Sequence, residues 1–290
     1  MNTRQKGLLI TTLGVLFVVP DSLFVRLITA EPMVVAFWRS LVSGLLIALA
    51  LLVTGGFKAF SVILQMGGLG WLYCAAIGST SPAFVLAVSN TSVANVVFIF
   101  AAIPVFAAFL SWIFLKEPVT RRLILTMIGV GVGLAIIAFG GEEGGLAHWS
   151  GDAFALYVAF AYAGALTILR GLKDLSMVPA IPVGYLLSAL MIALFIDPFG
   201  QWSGNINLYA AHGFFIALAT CGLTLGPRYI SSPEVSLLIL LESILAPLLV
   251  WVVLGENPGQ ATLVGGAIVI ATLTVSNGSA LFKNNESTSS

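Results

Sequence analysis

Apolar residues run through this chain in stretches about twenty long, separated by short polar breaks. One stretch lies near each of 7–29, 32–54, 66–88, 91–114, 121–139, 151–170, 178–197, 208–227, 232–254 and 260–281. A helix needs about 20 apolar residues to cross the hydrocarbon core of a bilayer, so the pattern predicts ten transmembrane helices. The alternating pattern of membrane β-strands is missing, and the runs are too long for strands. Most breaks are short, so neighbouring helices run antiparallel. The first run follows Arg4 and Lys6, as in a signal peptide. It is longer than a typical signal core and no small-residue cleavage site follows, so it reads as an uncleaved first span.

Composition narrows the class further. Hydrophobic residues make up 59% of the 290 and charged residues 8%, against roughly 25% charged in a soluble domain. That is too few charges to coat a water-soluble surface, and the chain reads as an all-α integral membrane protein. Twelve Lys+Arg balance twelve Asp+Glu, so no net field attracts nucleic acid. Cys74 and Cys221 both fall in apolar runs, and no metal-ligand spacing occurs, so neither a disulfide framework nor a metal site is expected. No cofactor is expected either.

The positions of the charges predict a topology. With the N-terminus in the cytoplasm, the inside segments hold Arg4, Lys6, Lys58, Lys116, Arg121, Arg122, Arg170, Lys173, Arg228 and Lys283, ten of the twelve Lys+Arg. Arg26 lies near the outer face and Arg39 lies within a span. The outer segment 140–150 carries Glu142 and Glu143 but no basic residue. Ten spans with both termini cytoplasmic fit this asymmetry.

The chain also repeats itself. Shifted by 139 residues, Trp112-x-x-Leu115-x-Glu117 falls on Trp251-x-x-Leu254-x-Glu256, and Ser92 on Ser231. A shift of 144 puts Gly7 on Gly151 and Arg26 on Arg170. Apolar helices match by chance easily, so the Trp/Leu/Glu spacing at one helix end carries most weight. The expected organisation is a five-helix repeat over 1–139, an external linker at 140–150 and a second repeat over 151–290. Five is odd, so the second repeat enters the membrane from the opposite side, an arrangement found in alternating-access transporters.

These residues resemble a family. The stretch Arg228 to Leu238, with Ser231-Ser232-Pro233-Glu234-Val235, and its continuation Leu241-Glu242-Ser243 through Pro247 and Trp251 to Gly255-Glu256 are similar to the ninth-helix region of EamA-type transporters. Those belong to the drug/metabolite transporter superfamily. Asn95 to Pro104, Trp112 and Lys116-Glu117-Pro118 follow the same pattern in the first half. The resemblance implies a ten-helix secondary transporter of small metabolites, with helices 1–4 and 6–9 around a central cavity and helices 5 and 10 packed to the side. Ser243 departs from it, since a proline often follows the glutamate in the family.

An ionisable group inside a span costs at least about 2.5 kcal/mol, which singles out Asp21, Arg39 and Glu242. Asp21 lies nine residues before Ala30 and Arg39 nine after it. On antiparallel helices that is similar depth, and an ion pair is expected. It can be a static clamp or an anchor for a charged substrate, since arginine binds carboxylates bidentately. Trp38 is read as a ligand-stacking ring or an interface anchor. Glu242 has no basic residue near it in sequence, and its counterpart under the 139-residue shift is Ile103. The scaffold therefore does not require an acid there, and Glu242 is a candidate proton-coupling or amine-binding group. Tyr157, Tyr162 and Tyr185 offer hydroxyls, and Asn95 an amide, either to a cavity or to neighbouring helices.

Pro20, Pro82, Pro104 and Pro247 are expected to interrupt their helices. Gly129-x-x-x-Gly133, with Gly265-Gly266 as its counterpart, is read as a close-packing motif, within the monomer or in a homodimer. His148 and His212 are placed near the outer side, far apart in sequence. With no grouped acids, no nucleophile–base motif and no loop for a catalytic domain, an enzyme is not expected. The expected function is movement of an amino acid or related compound across the inner membrane, in the export direction, with protons as a possible coupling ion. A metabolite importer or facilitator of the same fold is the alternative.

Overall fold

A computed structural model of the chain describes residues 3–116, 121–140, 148–172, 175–200, 205–229 and 232–287. Among these residues every regular element is a helix: α1 (Thr3–Val18), α2 (Asp21–Leu27), α3 (Pro32–Gly55), α4 (Ser61–Gln65), α5 (Gly67–Asn90), α6 (Val93–Phe100), α7 (Ile103–Leu115), α8 (Arg121–Gly140), α9 (Trp149–Gly171), α10 (Ala180–Ala193), α11 (Ile206–Leu225), α12 (Ser232–Leu254) and α13 (Gln260–Ser287). Six helical stretches are long and apolar enough to cross a membrane, and four shorter apolar helices bring the set to ten. These are the ten spans expected from hydropathy. α1 and α2 together form the first span, and α6 and α7 the fourth.

Two of the four prolines sit where a helix breaks. Pro20 separates α1 from α2 and takes the N-cap place of α2. Pro104 follows the break at 101–102 and lies in the first turn of α7, where its missing N–H would have no partner in any case. The other two correct the expectation: Pro82 and Pro247 lie inside the continuous helices α5 and α12. A membrane helix tolerates one lost backbone bond when its neighbours hold it in place.

Successive spans run antiparallel, so the bundle has a near end, which holds the N-terminus, and a far end. The turns at 28–31, 91–92 and 255–259 lie at the far end, where the His148 amide also donates to the Asn90 carbonyl at 3.1 Å.

The helix pairings come in matched sets. α1 packs on α11 as α9 packs on α5, α3 packs on α11 as α10 packs on α5, and α12 packs on α1 as α7 packs on α9. α3 with α10, α6 with α12 and α8 with α13 complete the pattern. Exchanging the first five spans for the last five turns these pairings into one another, whereas α3 on α5 has no comparable counterpart between α10 and α11 among the described residues.

α8 and α13 cross on small residues. A Cβ on Gly133 would lie 2.7 Å from the Gly265 carbonyl oxygen, and one on Gly265 2.6 Å from that of Gly133. Gly131, between the contact glycines, faces open space. The packing motif thus works within the chain. Large apolar side chains such as Val53, Phe114, Phe139 and Val252 are mostly exposed, as hydrocarbon rather than water requires.

Candidate functional site

The break at Pro20 starts a new helix at Asp21 and sets its carboxylate inside the bundle, 2% exposed. Arg39, on the second turn of α3, meets it with two parallel bonds. Nε donates to Oδ1 at 3.0 Å and Nη2 to Oδ2 at 2.6 Å. The count of nine residues on either side of the turn therefore placed these two correctly. Arg39 Nη1 donates to Ser81 Oγ of α5 at 2.8 Å, and its guanidinium lies over the Phe84 ring, 5.1 Å from the centroid. Ser40 shares a 2.7 Å bond with Ser81, and Ser43 donates to the carbonyls of Arg39 and Gly213.

His212 is the member of this cluster that sequence reasoning missed. It is fully buried near the start of α11, with Nε2 2.6 Å from Asp21 Oδ1. A carboxylate oxygen at that distance accepts, so Nε2 carries the proton. Nδ1 is then left as an acceptor with no partner among the described residues. The ring stacks on Phe24 with centroids 5.4 Å apart and planes 22° apart. Asp21 thus takes bonds from two spans at once, and α2, α3, α5 and α11 meet at one polar point in an apolar interior.

Glu242 stands near the middle of α12, within electrostatic reach of Asp21 and Arg39 and of Tyr162 on α9. It is partly exposed, and no hydrogen bond joins its carboxylate to a described residue. The face it shares is framed by α12 contacts on both sides. Leu245 and Ala246 pack with Val19 and Val97, and Ser243 donates to the Val97 carbonyl at 3.0 Å. Ser243, the departure from the family pattern, therefore ties α12 to α6. Tyr162 and Tyr185 lie within reach of each other, and Tyr185 shares a 3.0 Å bond with Thr220 and approaches Arg39.

The remaining candidates fall elsewhere. Asn95 is buried at the far end, where Nδ2 donates to Thr91 Oγ1 at 3.2 Å and to Asp152 at 3.4 Å, and Oδ1 accepts from Thr262 at 2.5 Å. It joins α6 to α9 and α13 and is not beside Glu242. Trp38 neither faces lipid alone nor lines the cluster. It packs edge-on against Phe37 and Phe199 and donates Nε1 to the Pro198 carbonyl at 3.3 Å. Tyr157 donates to Ser79 at 2.8 Å. No group of His, Cys, Asp and Glu among the described residues has the geometry of a metal site.

The cluster can hold charge apart from water and leave one acid open to a partner, which suits recognition of a small solute. No curated protein matches the chain. Thirteen solved chains match it. One, described only as the crystal structure of a protein, aligns with a TM-score of 0.67 over 98% of this chain and 99% of that one, at 17% identity. It shows the fold. The EamA-like transporter family model matches residues 5–139. That match spans the first five membrane helices, and the all-helical architecture is consistent with an EamA-type transporter of the drug/metabolite transporter superfamily.

Proposed function

We propose that the chain is a secondary transporter that moves a small metabolite, an amino acid or related compound, outward across the inner membrane by alternating access, with both termini cytoplasmic. The observation that carries this reading is the ionisable cluster of Asp21, Arg39, His212 and Glu242 inside an apolar bundle. Charged groups at such depth are rare outside solute and ion pathways. The matched helix pairings support two related halves, and opposed halves are the machinery of alternating access.

Within the cluster the roles divide. The fork of Arg39 is already taken by Asp21, so the pair acts as a clamp between the first two spans rather than as the anchor for a carboxylate. Glu242, without such a partner, is the group that meets the substrate or a proton. An amino group suits its carboxylate, and Tyr162 stands beside it. The test is flux in proteoliposomes against a panel of amino acids, amines, sugars and nucleosides. Saturable, pH-gradient-driven uptake of an amine-bearing compound that Glu242→Gln abolishes supports the reading. No flux for any compound by folded protein overturns it.

A further inference from the structure

A second ionic cluster lies at the far end of the bundle. Arg26, on the last turn of α2, sets Nε 2.9 Å from Glu256 Oε2 and Nη2 3.2 Å from Oε1. The same Nη2 donates to the Thr91 carbonyl at 2.9 Å. Glu256 Oε1 in turn accepts the Val93 amide at 2.8 Å. Arg26 and Glu256 come from opposite ends of the chain, and together they grip the turn between α5 and α6 by its backbone.

The grip joins four spans at one turn. Arg26 belongs to the first span and Glu256 follows α12; these two spans pack on each other, and α2 also packs on α5 and α12 on α6. Thr91 and Val93 belong to the third and fourth spans, which pack on α9. The two backbone bonds therefore tie the first and ninth spans to the turn between the third and fourth, and the ion pair holds donor and acceptor in place for them.

The two ionic clusters differ in what opening them requires. The Asp21–Arg39 pair is nearly sealed, with side chains 3% and 8% exposed, whereas Glu256 and Arg26 are 12% and 16% exposed. Separating a sealed pair strands charges away from water. The far-end pair lies nearer to water, so separating it strands its charges less completely. The far-end pair is the one suited to open and close repeatedly. We propose that Arg26 and Glu256 form a latch that closes the far end of the transport path, and that release of the 91–93 turn opens it. This rests on the alternating-access reading.

The experiment places a single reporter cysteine at Leu245→Cys, one turn beyond Glu242 toward the latch, in a Cys74→Ala/Cys221→Ala background. A membrane-impermeant maleimide is applied to the outer face of whole cells. Arg26→Gln and Glu256→Gln are each expected to raise the labelling rate about two- to fivefold, the factor that corresponds to a partly exposed ion pair. Unchanged labelling in folded Gln variants would overturn the latch and leave a static tie, which lowers only the melting temperature. If the Gln variants fail to fold, Arg26→Lys and Glu256→Asp replace them, with the same expected direction and the same overturning result. The transport reading fails separately, by absence of flux in the parent, because labelling reads the conformational change alone.

Discussion

Arg39 and Asp21 meet through two parallel N–H···O bonds inside the membrane, at 3.0 and 2.6 Å, from helices joined by one short turn. Removing one partner strands the other charge, so Arg39→Ala should lose about 3 kcal/mol of stability. The double variant Asp21→Ala/Arg39→Ala should lose less than Arg39→Ala alone. Thermal unfolding of the purified variants measures this. A double variant less stable than the single would overturn the clamp.

His212 gives Asp21 its third bond and leaves Nδ1 without a partner among the described residues. His212→Ala removes the bond and opens a cavity against Phe24, which should cost about 2 kcal/mol. His212→Gln keeps a donor on a side chain of similar reach and should recover part of that loss. Equal melting temperatures for the two variants would mean that the Nε2 bond contributes nothing.

Glu242→Gln keeps the shape and most of the hydrogen bonding of the side chain but cannot exchange a proton. The variant should fold, and its flux should no longer respond to a pH gradient in proteoliposomes. Substrate exchange down its own gradient should persist, since exchange need not move a proton. A variant with the wild-type pH response would falsify the coupling role.

The central cluster was partly legible in the sequence. Hydropathy gives the ten spans because each must satisfy its backbone within the bilayer. Counting residues from the turn at 30 gives the depth of Asp21 and Arg39, because a helix rises a fixed distance per residue. The same count applied to His212, seven residues after Asn205, puts it inside the span, but which helix faces which is a packing fact that depth alone does not supply. Asn95 and Trp38 are polar or aromatic residues that serve their own neighbours, and sequence offers no sign of that. Arg26 and Glu256 stood out only as matched positions of the repeat. Their meeting depends on the fold.

The crossing of α8 and α13 depends on glycine at two places and not at a third. Gly133→Leu should lower stability by about 2 kcal/mol, since its side chain would enter the Gly265 backbone. Gly131→Ala, which faces open space, should be neutral or slightly stabilising, because alanine favours helix. Melting curves of the two variants compare them directly, and equal losses would contradict the crossing.

The distribution of basic residues predicts which end of the bundle faces the cytoplasm. Reporter fusions at Asn284 and within 140–150, which lies mostly outside the described residues, should read cytoplasm and exterior respectively. The opposite reading at either site rejects the ten-span topology.

The helix α2 is seven residues long and carries Asp21 at its start and Arg26 near its end. At 1.5 Å per residue these two lie about 7.5 Å apart along one rod. No chain of intervening side chains is needed for one to sense the other. A change that favours one arrangement around Asp21 acts on the same rigid piece that Arg26 uses at the far end. Linkage then makes the effect mutual. Any coupling free energy between a solute's contacts at Asp21 and the release of Arg26 has the same magnitude read from either end. The Pro20 break makes this possible, because it frees the last two turns of the first span from the sixteen residues before them.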